Sequence, residues 1–333
     1  MNILVTGGAG YIGSHTTLEL LKQGHKVSIL DHLEKDKQEI LDTIRTEAGD
    51  FEVLKADLRN PEELKQTLSG KSFDAVIHFA AFIEVGISTK QPVEFIDNNV
   101  IGTQNLVKVL KENGIINIVF SSSAAVYGTP QSVPIREDAQ MHPENPYGLT
   151  KSLTEEILKC YCDFAGLNVV ALRYFNPAGS YQGKIGERHK PESHLIPRLL
   201  RSFMDDAFKF AIFGDDYDTP DGTAIRDYIH ILDLADAHIK CLSYLTGHKG
   251  YSAFNVGTGM GSSIKEVITT AEKVTGKKLS YTTEPRRTGD SARLVADPSK
   301  MKQEMNWEPK YTLEDIISSA WEWEQKRTVA DYA

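Results

Sequence analysis

The feature that most constrains the fold of this chain is a glycine-rich turn close to its first residue. Gly7, Gly10 and Gly13 follow an apolar run at residues 3–5 and precede a helix-like segment. In such a turn the first glycine permits a tight bend, the second lets the backbone approach a pyrophosphate, and the third lets the helix pack on the strand. Because the amino end of that helix then points at the anion, the pattern predicts a dinucleotide-binding site.

A carboxylate after the second apolar run indicates which dinucleotide is bound. Residues 27–30 form that run, and Asp31 follows it, at the place where Rossmann folds bind the adenine ribose hydroxyls. The same carboxylate repels the 2′-phosphate of NADP, and His32 rather than an arginine comes next. The sequence therefore predicts NAD as the cofactor.

Short apolar runs alternate with helix-like segments through the first half of the chain. The runs cover residues 3–5, 27–30, 51–54, 75–79, 115–120 and 169–174. They are rich in Val and Ile and do not alternate with polar residues, which favours parallel strands covered on both faces. We predict an α/β fold with a Rossmann-type doubly wound parallel sheet and a smaller mixed α/β substrate domain. The expected domains are residues 1–175, with returning segments near 226–257, and residues 176–333.

Three helices carry signals that can be read directly. Asn60 is a predicted N-cap, Pro61 occupies the first helical position, and Glu63 is placed to complete a capping box. Apolar residues at three- and four-residue spacings predict a helix over residues 92–113. A third helix is predicted over residues 147–166.

Serines at the end of one predicted strand and a tyrosine–lysine pair on the next helix form a candidate chemical site. Ser121 and Ser123 are expected beside the nicotinamide, because ligands of open α/β sheets bind beyond the carboxyl ends of strands. Tyr147 and Lys151 are four residues apart and share one helical face. A phenolate base at neutral pH requires the tyrosine pKa to fall by about 2–3 units, which a nearby ammonium and a positive nicotinamide ring can supply. We expect Tyr147 to act as the base and Ser123 to hydrogen-bond the sugar oxygen.

Charge and composition argue against two classes of partner. A formal net charge of −9 leaves no basic surplus for a nucleic acid backbone, although it permits a small phosphate ligand. No apolar run approaches the roughly 18 residues of a membrane helix and no leader is visible, so a cytoplasmic location is expected. Cys160, Cys162 and Cys241 form neither a disulfide framework nor a zinc pattern, so no metal is predicted.

Longer motifs resemble those of a known family. The segments TGGAGYIG (6–13), HFAA (78–81), SSSAAVYG (121–128) and YGLTK (147–151) resemble the extended short-chain dehydrogenase/reductase family. Within it, DNNV (97–100), RYFNP (173–177), DGTAIRDYIH (221–230) and PRRTGD (285–290) resemble the UDP-glucose 4-epimerases. The resemblance extends over nearly the whole chain.

The resemblance implies an NAD-dependent isomerase of nucleotide-sugar and galactose metabolism. Such an enzyme interconverts UDP-glucose and UDP-galactose through a transient 4-keto sugar, and NAD stays tightly bound throughout. Tyr147 removes the proton of the 4-hydroxyl, and Lys151 also holds the nicotinamide ribose.

The same resemblance assigns roles to three sets of residues. The catalytic residues are Ser123, Tyr147 and Lys151. The cofactor-binding residues are Gly7, Gly10, Tyr11, Ile12, Gly13, Asp31, His32, Asp57, Leu58, Phe79, Ala80, Ala81, Asn98, Ser121, Tyr147, Lys151 and Tyr174. The substrate-binding residues are Ser123, Asn176, His194, Leu195, Arg226, Arg287 and Asp290.

Three positions depart from the family pattern. Ile83, followed by Glu84, stands where some epimerases carry a lysine. His194 stands where an asparagine often contacts the diphosphate, and histidine also donates a hydrogen bond there. Leu294 occupies the position that limits room for an N-acetyl group, and leucine is intermediate in size, so acceptance of acetylated sugars stays open.

Other activities remain open at this stage. An epimerase for UDP-GlcNAc and UDP-GalNAc, or for UDP-pentoses or UDP-uronates, fits the same motifs. A sugar 4,6-dehydratase needs an acid beside the catalytic hydroxyl, and Ala124 and Ala125 follow Ser123 instead. A catalytically silent NAD-binding protein would be expected to lose Tyr147 or Lys151, and both are present.

The family resemblance also implies a homodimer joined by two helices from each subunit. The candidate helices are those at residues 92–113 and 147–166. On the second, an apolar stripe comprises Leu153, Ile157, Tyr161 and Phe164.

Overall fold

The computed structural model describes residues 1–33, 37–287 and 289–328. It divides the chain into two units. Unit 1 comprises Met1–Gly128, Met141–Tyr174 and Ala235–Phe254, and unit 2 comprises Thr129–Gln140, Phe175–Leu234 and the chain from Asn255 on. Thr288 of the PRRTGD motif and residues 329–333 of the predicted second domain lie outside the described residues.

A seven-stranded sheet carries the predicted strands. Its strands, numbered in chain order, are β1 (Asn2–Thr6), β2 (Lys26–Asp31), β3 (Glu52–Lys55), β4 (Ala75–His78), β5 (Asn117–Ser123), β6 (Asn168–Tyr174) and β11 (Tyr251–Val256). The strand order is β11-β6-β5-β4-β1-β2-β3. The pairs β1–β2, β1–β4, β2–β3, β4–β5 and β5–β6 are all parallel. The predicted Rossmann-type sheet is therefore confirmed.

Helices follow the strands in alternation. They are α1 (Tyr11–Lys22), α2 (Gln38–Ala48), α3 (Pro61–Leu68), α4 (Val85–Ser88), α5 (Pro92–Ile96), α6 (Gly102–Glu112), α7 (Pro146–Ala165) and α9 (Ile231–Gly247). A core of unit 1 joins the sheet residues Leu4, Val76 and Val169 to Leu106 of α6 and Leu158 of α7. These side chains are almost fully buried, as expected for strands covered on both faces. Among the described residues, no helix combines the length and apolarity that crossing a membrane requires.

Two local predictions differ from the structure. The helix predicted over residues 92–113 is interrupted, because Asp97–Ile101 form a π-helical turn between α5 and α6. At α3, Asn60 caps the helix by accepting from the Glu63 amide at 3.2 Å, as predicted. The Glu63 carboxylate, however, accepts from the Asp57 amide at 3.2 Å, because the Asn60 amide already donates to the Asp57 carbonyl.

Unit 2 is built from short strands and five helices that the described residues define. Its strands are β7 (Asn176–Ala178), β8 (Ala211–Phe213), β9 (Ile225–Arg226), β10 (Tyr228–His230), β12 (Ser262–Ser263), β13 (Thr282–Glu284) and β14 (Arg293–Leu294). Its helices are α8 (Leu195–Ser202), α10 (Ile264–Thr275), α11 (Ser299–Met305), α12 (Leu313–Glu324) and the first residues of α9. Its core packs α8, α10 and α12 around residues such as Leu199, Val267 and Ile317.

Residues 129–140 group with unit 2, although the sequence placed them in the first domain. The amide of Ile135 donates to the Val295 carbonyl, and the Asp297 amide donates to the Ile135 carbonyl, both at 2.8 Å. The Asn255 amide also donates to the Glu137 carboxylate at 2.8 Å. These long-range hydrogen bonds explain why no local sequence signal marked the segment.

Two glycines at opposite ends of α1 allow a test of the turn's packing. A Cβ at Gly13 would lie 2.2 Å from the Gly7 carbonyl oxygen. A Cβ at Gly24 would have open space around it, so the only cost of a side chain there is the strain of a positive φ of 79°. We expect Gly24→Ala to lower the free energy of unfolding by about 1–2 kcal/mol and Gly13→Ala to lower it by more. Urea unfolding of both variants measures this, and equal losses would contradict the packing argument.

Candidate active site

The carboxyl ends of the parallel strands bring the predicted cofactor residues of unit 1 to one edge of the sheet. Gly7 follows β1, Asp31 ends β2 and Phe79 follows β4. Ser123 ends β5 and Tyr174 ends β6. The strand order reverses between β1 and β4, and open α/β sheets bind ligands at such a switch point.

The glycine turn has the shape that a pyrophosphate requires. Gly7 has a φ of 68°, and a Cβ there would lie 2.7 Å from the Ala80 amide nitrogen. The amide of Gly10 donates to the Gly7 carbonyl at 2.9 Å, which closes the turn. Gly10 is the N-cap of α1 and offers no side-chain oxygen, so no side-chain cap competes for the first amides of α1, at Tyr11 and Ile12. The turn therefore fits the phosphates of a dinucleotide.

Asp31 is held beside this turn. Its carboxylate accepts from the Ala9 amide at 3.2 Å and from the Leu33 amide at 3.0 Å. The His32 ring nitrogen lies 3.6 Å from the same carboxylate. A carboxylate fixed by two amides next to the glycine turn fits a ribose diol rather than a phosphate.

The remaining predicted adenine and nicotinamide residues lie around the α3–α6 region. Asp57 is fixed by the Arg59 guanidinium at 2.6 Å, which lowers the pKa of that carboxyl. The Leu58 carbonyl accepts from Asn105 of α6 at 3.1 Å. Asn98 lies in the π-helical turn, half-buried, and donates to the Asn99 side chain at 3.0 Å.

Ser121, Lys151 and Tyr174 are in direct contact. The Lys151 ammonium donates to the Ser121 carbonyl at 2.7 Å, and the hydroxyls of Ser121 and Tyr174 are hydrogen-bonded. Lys151 is 3% exposed. Its nitrogen lies 5.9 Å from the centre of the Tyr147 ring and 5.1 Å from that of Phe120.

Tyr147 is placed by the start of α7. Asn145 caps that helix by accepting from the Gly148 amide at 2.8 Å, and the Tyr147 amide donates to the Ser88 hydroxyl at 3.2 Å. The Ser123 hydroxyl hydrogen-bonds the buried Tyr147 phenol. Ser123 also accepts from the Ala125 amide at 3.1 Å, so it caps the short 3₁₀ turn at Ala124–Val126 that follows β5.

The pKa values of this pair differ from the sequence expectation. Burial raises the pKa of Tyr147 to about 12, outweighing the hydrogen bond from Ser123, and the nearby Glu84 carboxylate raises it further. Burial also lowers the pKa of Lys151 to about 7, which Glu155 partly opposes. Desolvation of both charges thus opposes the lowering of the phenol pKa, which is expected from the ammonium and the nicotinamide ring together.

In unit 2, Arg226 and Asp290 form one predicted group. The Arg226 guanidinium lies 3.5 Å from the Asp290 carboxylate and donates to the carbonyls of Ile225 and Ser291 at 2.9 Å each. Arg226 pairs with Leu294 across β9 and β14, so the position that the family resemblance links to the N-acetyl group lies beside the arginine. Asn176 is tied to this segment because its amide donates to the Asp227 carbonyl at 3.0 Å.

His194 lies in a separate polar cluster at the start of α8, next to Leu195. Its Nδ1 lies 2.8 Å from Glu187 and 3.1 Å from Glu192. Burial alone would lower the pKa of His194, but the two carboxylates outweigh it and raise that pKa well above its usual value. Glu187, His189 and His194 present metal-ligand atoms within 4.8 Å of one another, so they could hold a metal ion.

Arg287 lies on the ring of Phe213, with the guanidinium carbon 3.9 Å from the ring centre. Arg198 of α8 was missed by sequence reasoning. Burial lowers its pKa, and the charge of Arg287 lowers it further, so each guanidinium group lies within electrostatic range of the other. Two arginines that repel each other in this way favour a shared anion.

Sequence reasoning also missed buried residues next to β5 and α7. Asn99 is buried, accepts from the Phe82 amide at 2.8 Å and donates to Thr150 of α7 at 3.1 Å. Glu155 and Arg173 form a buried ion pair at 2.6 Å. Asn99 and Arg173 lie in the quoted DNNV and RYFNP segments, but nothing local indicates what they contact.

Comparison with known proteins gives consistent matches. The sequence model of the GDP-mannose 4,6 dehydratase family matches residues 4–320. A UDP-glucose 4-epimerase of Rhizobium meliloti (strain 1021) is 46% identical over 327 residues, which cover 98% of each chain.

Solved structures match equally well. The UDP-glucose 4-epimerase of Bifidobacterium longum in complex with NAD+ and UDP is 37% identical, with a TM-score of 0.93 and full coverage of both chains. UDP-glucose-4-epimerase from Stenotrophomonas maltophila, with bound NAD and formylated UDP-arabinopyranose, is 38% identical, with a TM-score of 0.93 and 98% coverage of each chain.

The burial of Lys151 predicts a pH-dependent stability. Its pKa is about 7 in the folded protein and about 10.5 when the chain unfolds. The cost of the buried charge is therefore fully present below pH 7 and is relieved as pH rises toward 10.5. Relative to Lys151→Met, the wild type should gain stability over this window, by up to about 1.4 kcal/mol per unit of pKa difference. Urea unfolding at pH 7 and 9.5 measures it, with exposed Lys159→Met as control; parallel wild-type and Lys151→Met profiles would contradict it.

Proposed function

We propose that the protein interconverts UDP-glucose and UDP-galactose by inverting carbon 4 of the sugar. The premise is that the chain belongs to the UDP-glucose 4-epimerase family of extended short-chain dehydrogenases/reductases. The observation that carries the proposal is the contact of Ser123 with Tyr147 at the carboxyl edge of the sheet, with Lys151 beside them. NAD, when bound, supplies the acceptor that takes the C4 hydrogen of the sugar and later returns it, together with a positively charged ring.

Each catalytic residue has a role that its contacts support. Tyr147 removes the proton of the sugar 4-hydroxyl and returns it after the 4-keto sugar has turned over. Ser123 donates to the reacting oxygen and, through its hydrogen bond to the phenol, passes the proton. Lys151 favours the phenolate electrostatically. Because burial raises the Tyr147 pKa to about 12, we propose that the positive ring of bound NAD supplies the further charge that favours the phenolate.

Unit 2 supplies the groups that we propose for the UDP part of the substrate. Arg226 and Arg287 are cationic donors suited to a diphosphate, and His194 is a further hydrogen-bond donor that we propose for it. Asp290, which Arg226 approaches at 3.5 Å, is suited to the ribose hydroxyls. We add Arg198 to this set, since the charge of Arg287 acts on its guanidinium group. Leu195 and Asn176 complete the proposed site.

The other activities differ in how well the residues support them. Half-buried Leu294 beside Arg226 leaves UDP-GlcNAc and UDP-GalNAc as alternative substrates, and UDP-pentoses or UDP-uronates fit the same groups. Ile83 is half-buried and uncharged, so it supplies no cation at the position where some epimerases carry a lysine. The carboxylate of the next residue, Glu84, raises the Tyr147 pKa. A 4,6-dehydratase is disfavoured because Ala124 and Ala125 supply no acid next to Ser123.

We also propose a homodimer, in keeping with the expected cytoplasmic enzyme. Helices α5 and α7 pack together and present exposed apolar side chains, with Val93 64%, Leu149 42% and Leu153 40% exposed. Leu149 and Leu153 are one turn apart, so they extend one stripe. Of the predicted stripe, Phe164 is also largely exposed, whereas Tyr161 packs partly against the core.

The activity is tested on protein purified without added NAD. Offered UDP-glucose or UDP-galactose, it should interconvert them without exogenous NAD, and parallel assays with the N-acetylated, pentose and uronate forms define its range. Tyr147→Phe should lower kcat at least about 10²-fold while the NAD content is unchanged. Tyr161→Phe, on the same helix, is the matched control and should retain activity. A strict demand for added NAD with net NADH accumulation would identify a dehydrogenase instead.

Sedimentation measures the oligomeric state. The molecular mass of the wild type from sedimentation equilibrium should be twice the chain mass of 37.1 kDa. Leu153→Glu should give monomers, because the charge would be buried in the interface. Ile116→Glu, equally exposed but outside both helices, should remain dimeric. A monomeric wild type, or a dimeric Leu153→Glu, would exclude this interface.

A further inference from the structure

We propose that Glu155, held in place by Arg173, is a positioning residue that keeps the Lys151 ammonium charged and seated on the Ser121 carbonyl. The proposal rests on the proposed function, since it explains how the acid–base pair of that reaction is maintained. Glu155 touches neither the reacting phenol nor the serine hydroxyl assigned to the sugar, and it acts through Lys151.

Helix α7 places three of the groups in one line. Tyr147, Lys151 and Glu155 follow one another at intervals of four residues, so their side chains lie on one helical face, toward the sheet. All three are buried, and Glu155 is only 1% exposed. A carboxylate one turn beyond the lysine is therefore shielded from solvent, where its charge acts strongly.

The sheet holds the Glu155 carboxylate from the other side. Ser122 of β5 and Arg173 of β6 are register partners, so both side chains point to the same face. The Ser122 hydroxyl donates to Glu155, and the Arg173 guanidinium donates to it through Nε at 3.1 Å and Nη2 at 2.6 Å. Ser122 lies between Ser121, whose carbonyl accepts from Lys151, and Ser123, which contacts Tyr147. The carboxylate thus fixes the strand end that carries both serines against α7.

Two tyrosines complete the network. The Tyr251 hydroxyl donates to Glu155 at 2.7 Å, and Arg173 donates to the Tyr127 hydroxyl at 2.9 Å. Such a buried ion pair contributes little net stability, because desolvation of both charges offsets their attraction. A fully satisfied pair directly behind the chemical site is therefore better explained by the charge and geometry that it imposes there.

The charges around Lys151 favour this assignment. Burial lowers the pKa of His78 on β4 to about 3, and burial raises the pKa values of Tyr174 on β6 and Tyr251 on β11, so these three groups are neutral at pH 7. Arg173 is engaged by Glu155, and Glu84 acts on Tyr147. Glu155 raises the pKa of Lys151 against burial. Without that carboxylate, the lysine would lose its proton at a lower pH.

The test compares wild type, Glu155→Gln and the exposed neighbour Glu156→Gln, each as holoenzyme with measured NAD content. Activity requires a protonated Lys151 and a deprotonated Tyr147, so kcat should depend on pH as a bell. In Glu155→Gln we expect the alkaline limb to move down by about 1 pH unit, and the acid limb to move down as well, because loss of the carboxylate favours deprotonation of both Lys151 and Tyr147. KM for the UDP-sugar should change less than kcat, and Glu156→Gln should match the wild type.

A double variant keeps the test decisive if Glu155→Gln folds poorly. Glu155→Gln/Arg173→Met removes both buried charges, so it should fold. Its alkaline limb should still move down, because the charge that raises the Lys151 pKa is that of Glu155. If either variant has a lower kcat but both limbs of its pH profile stay at their wild-type positions, Glu155 has only a structural role and the proposal is overturned.

A second readout is independent of substrate. The ultraviolet absorbance of tyrosinate, taken as the difference from Tyr147→Phe, follows ionisation of Tyr147 in the holoenzyme. Its midpoint should fall in Glu155→Gln, because the phenolate loses a neighbouring negative charge while Lys151 stays protonated, and an unmoved midpoint would overturn the proposal. If the wild type fails to interconvert UDP-sugars, the proposed function fails, whereas this titration still decides the role of Glu155.

Discussion

Burial of an ammonium group at the edge of the sheet is the constraint on which the site depends. Lys151 is almost completely removed from water, and its pKa falls to about 7 as a result. A charge in that position is tolerated only with close partners, here the Ser121 carbonyl at 2.7 Å and the Glu155 carboxylate one turn along α7. The same burial raises the Tyr147 pKa. Under the proposed function, the Glu155 carboxylate opposes the effect of burial on Lys151, and the positive charge of the bound cofactor favours the phenolate of Tyr147.

The strand order explains why residues so far apart in the sequence meet. β1 lies between β2 and β4, and β5 and β6 follow on one side, so five strand ends face the same crevice. Turn residues after β1 and serines at the end of β5 need no direct contact to share a ligand. The sheet fixes their separation, and α7 adds the tyrosine and lysine from one rigid helix.

Much of this could be predicted from sequence, for reasons that particular residues make clear. The turn at Gly7, Gly10 and Gly13 could be predicted because each position requires a glycine for steric reasons that involve residues close by in the sequence. The six predicted strands were found because parallel strands are continuous apolar runs. The π-helical turn at Asp97–Ile101 left no periodicity signal, and residues 129–140 join unit 2 through partners more than a hundred residues away. The raised Tyr147 pKa was missed because a motif gives neighbours but not their degree of burial.

The π-helical turn has a consequence for how this region tolerates change. A turn that holds an additional residue relative to an α-helix sets the rotational phase between the segments on either side. Deleting one residue from Asp97–Ile101 would restore a regular helix and rotate α5 by about 100° relative to α6. Val93 would then leave the surface that it shares with Leu149, and the Asn99 side chain would lose its place against α7. The number of residues in Asp97–Ile101 is thus constrained more tightly than their identity. Among related sequences, deletions of one residue should therefore be rarer in this segment than substitutions.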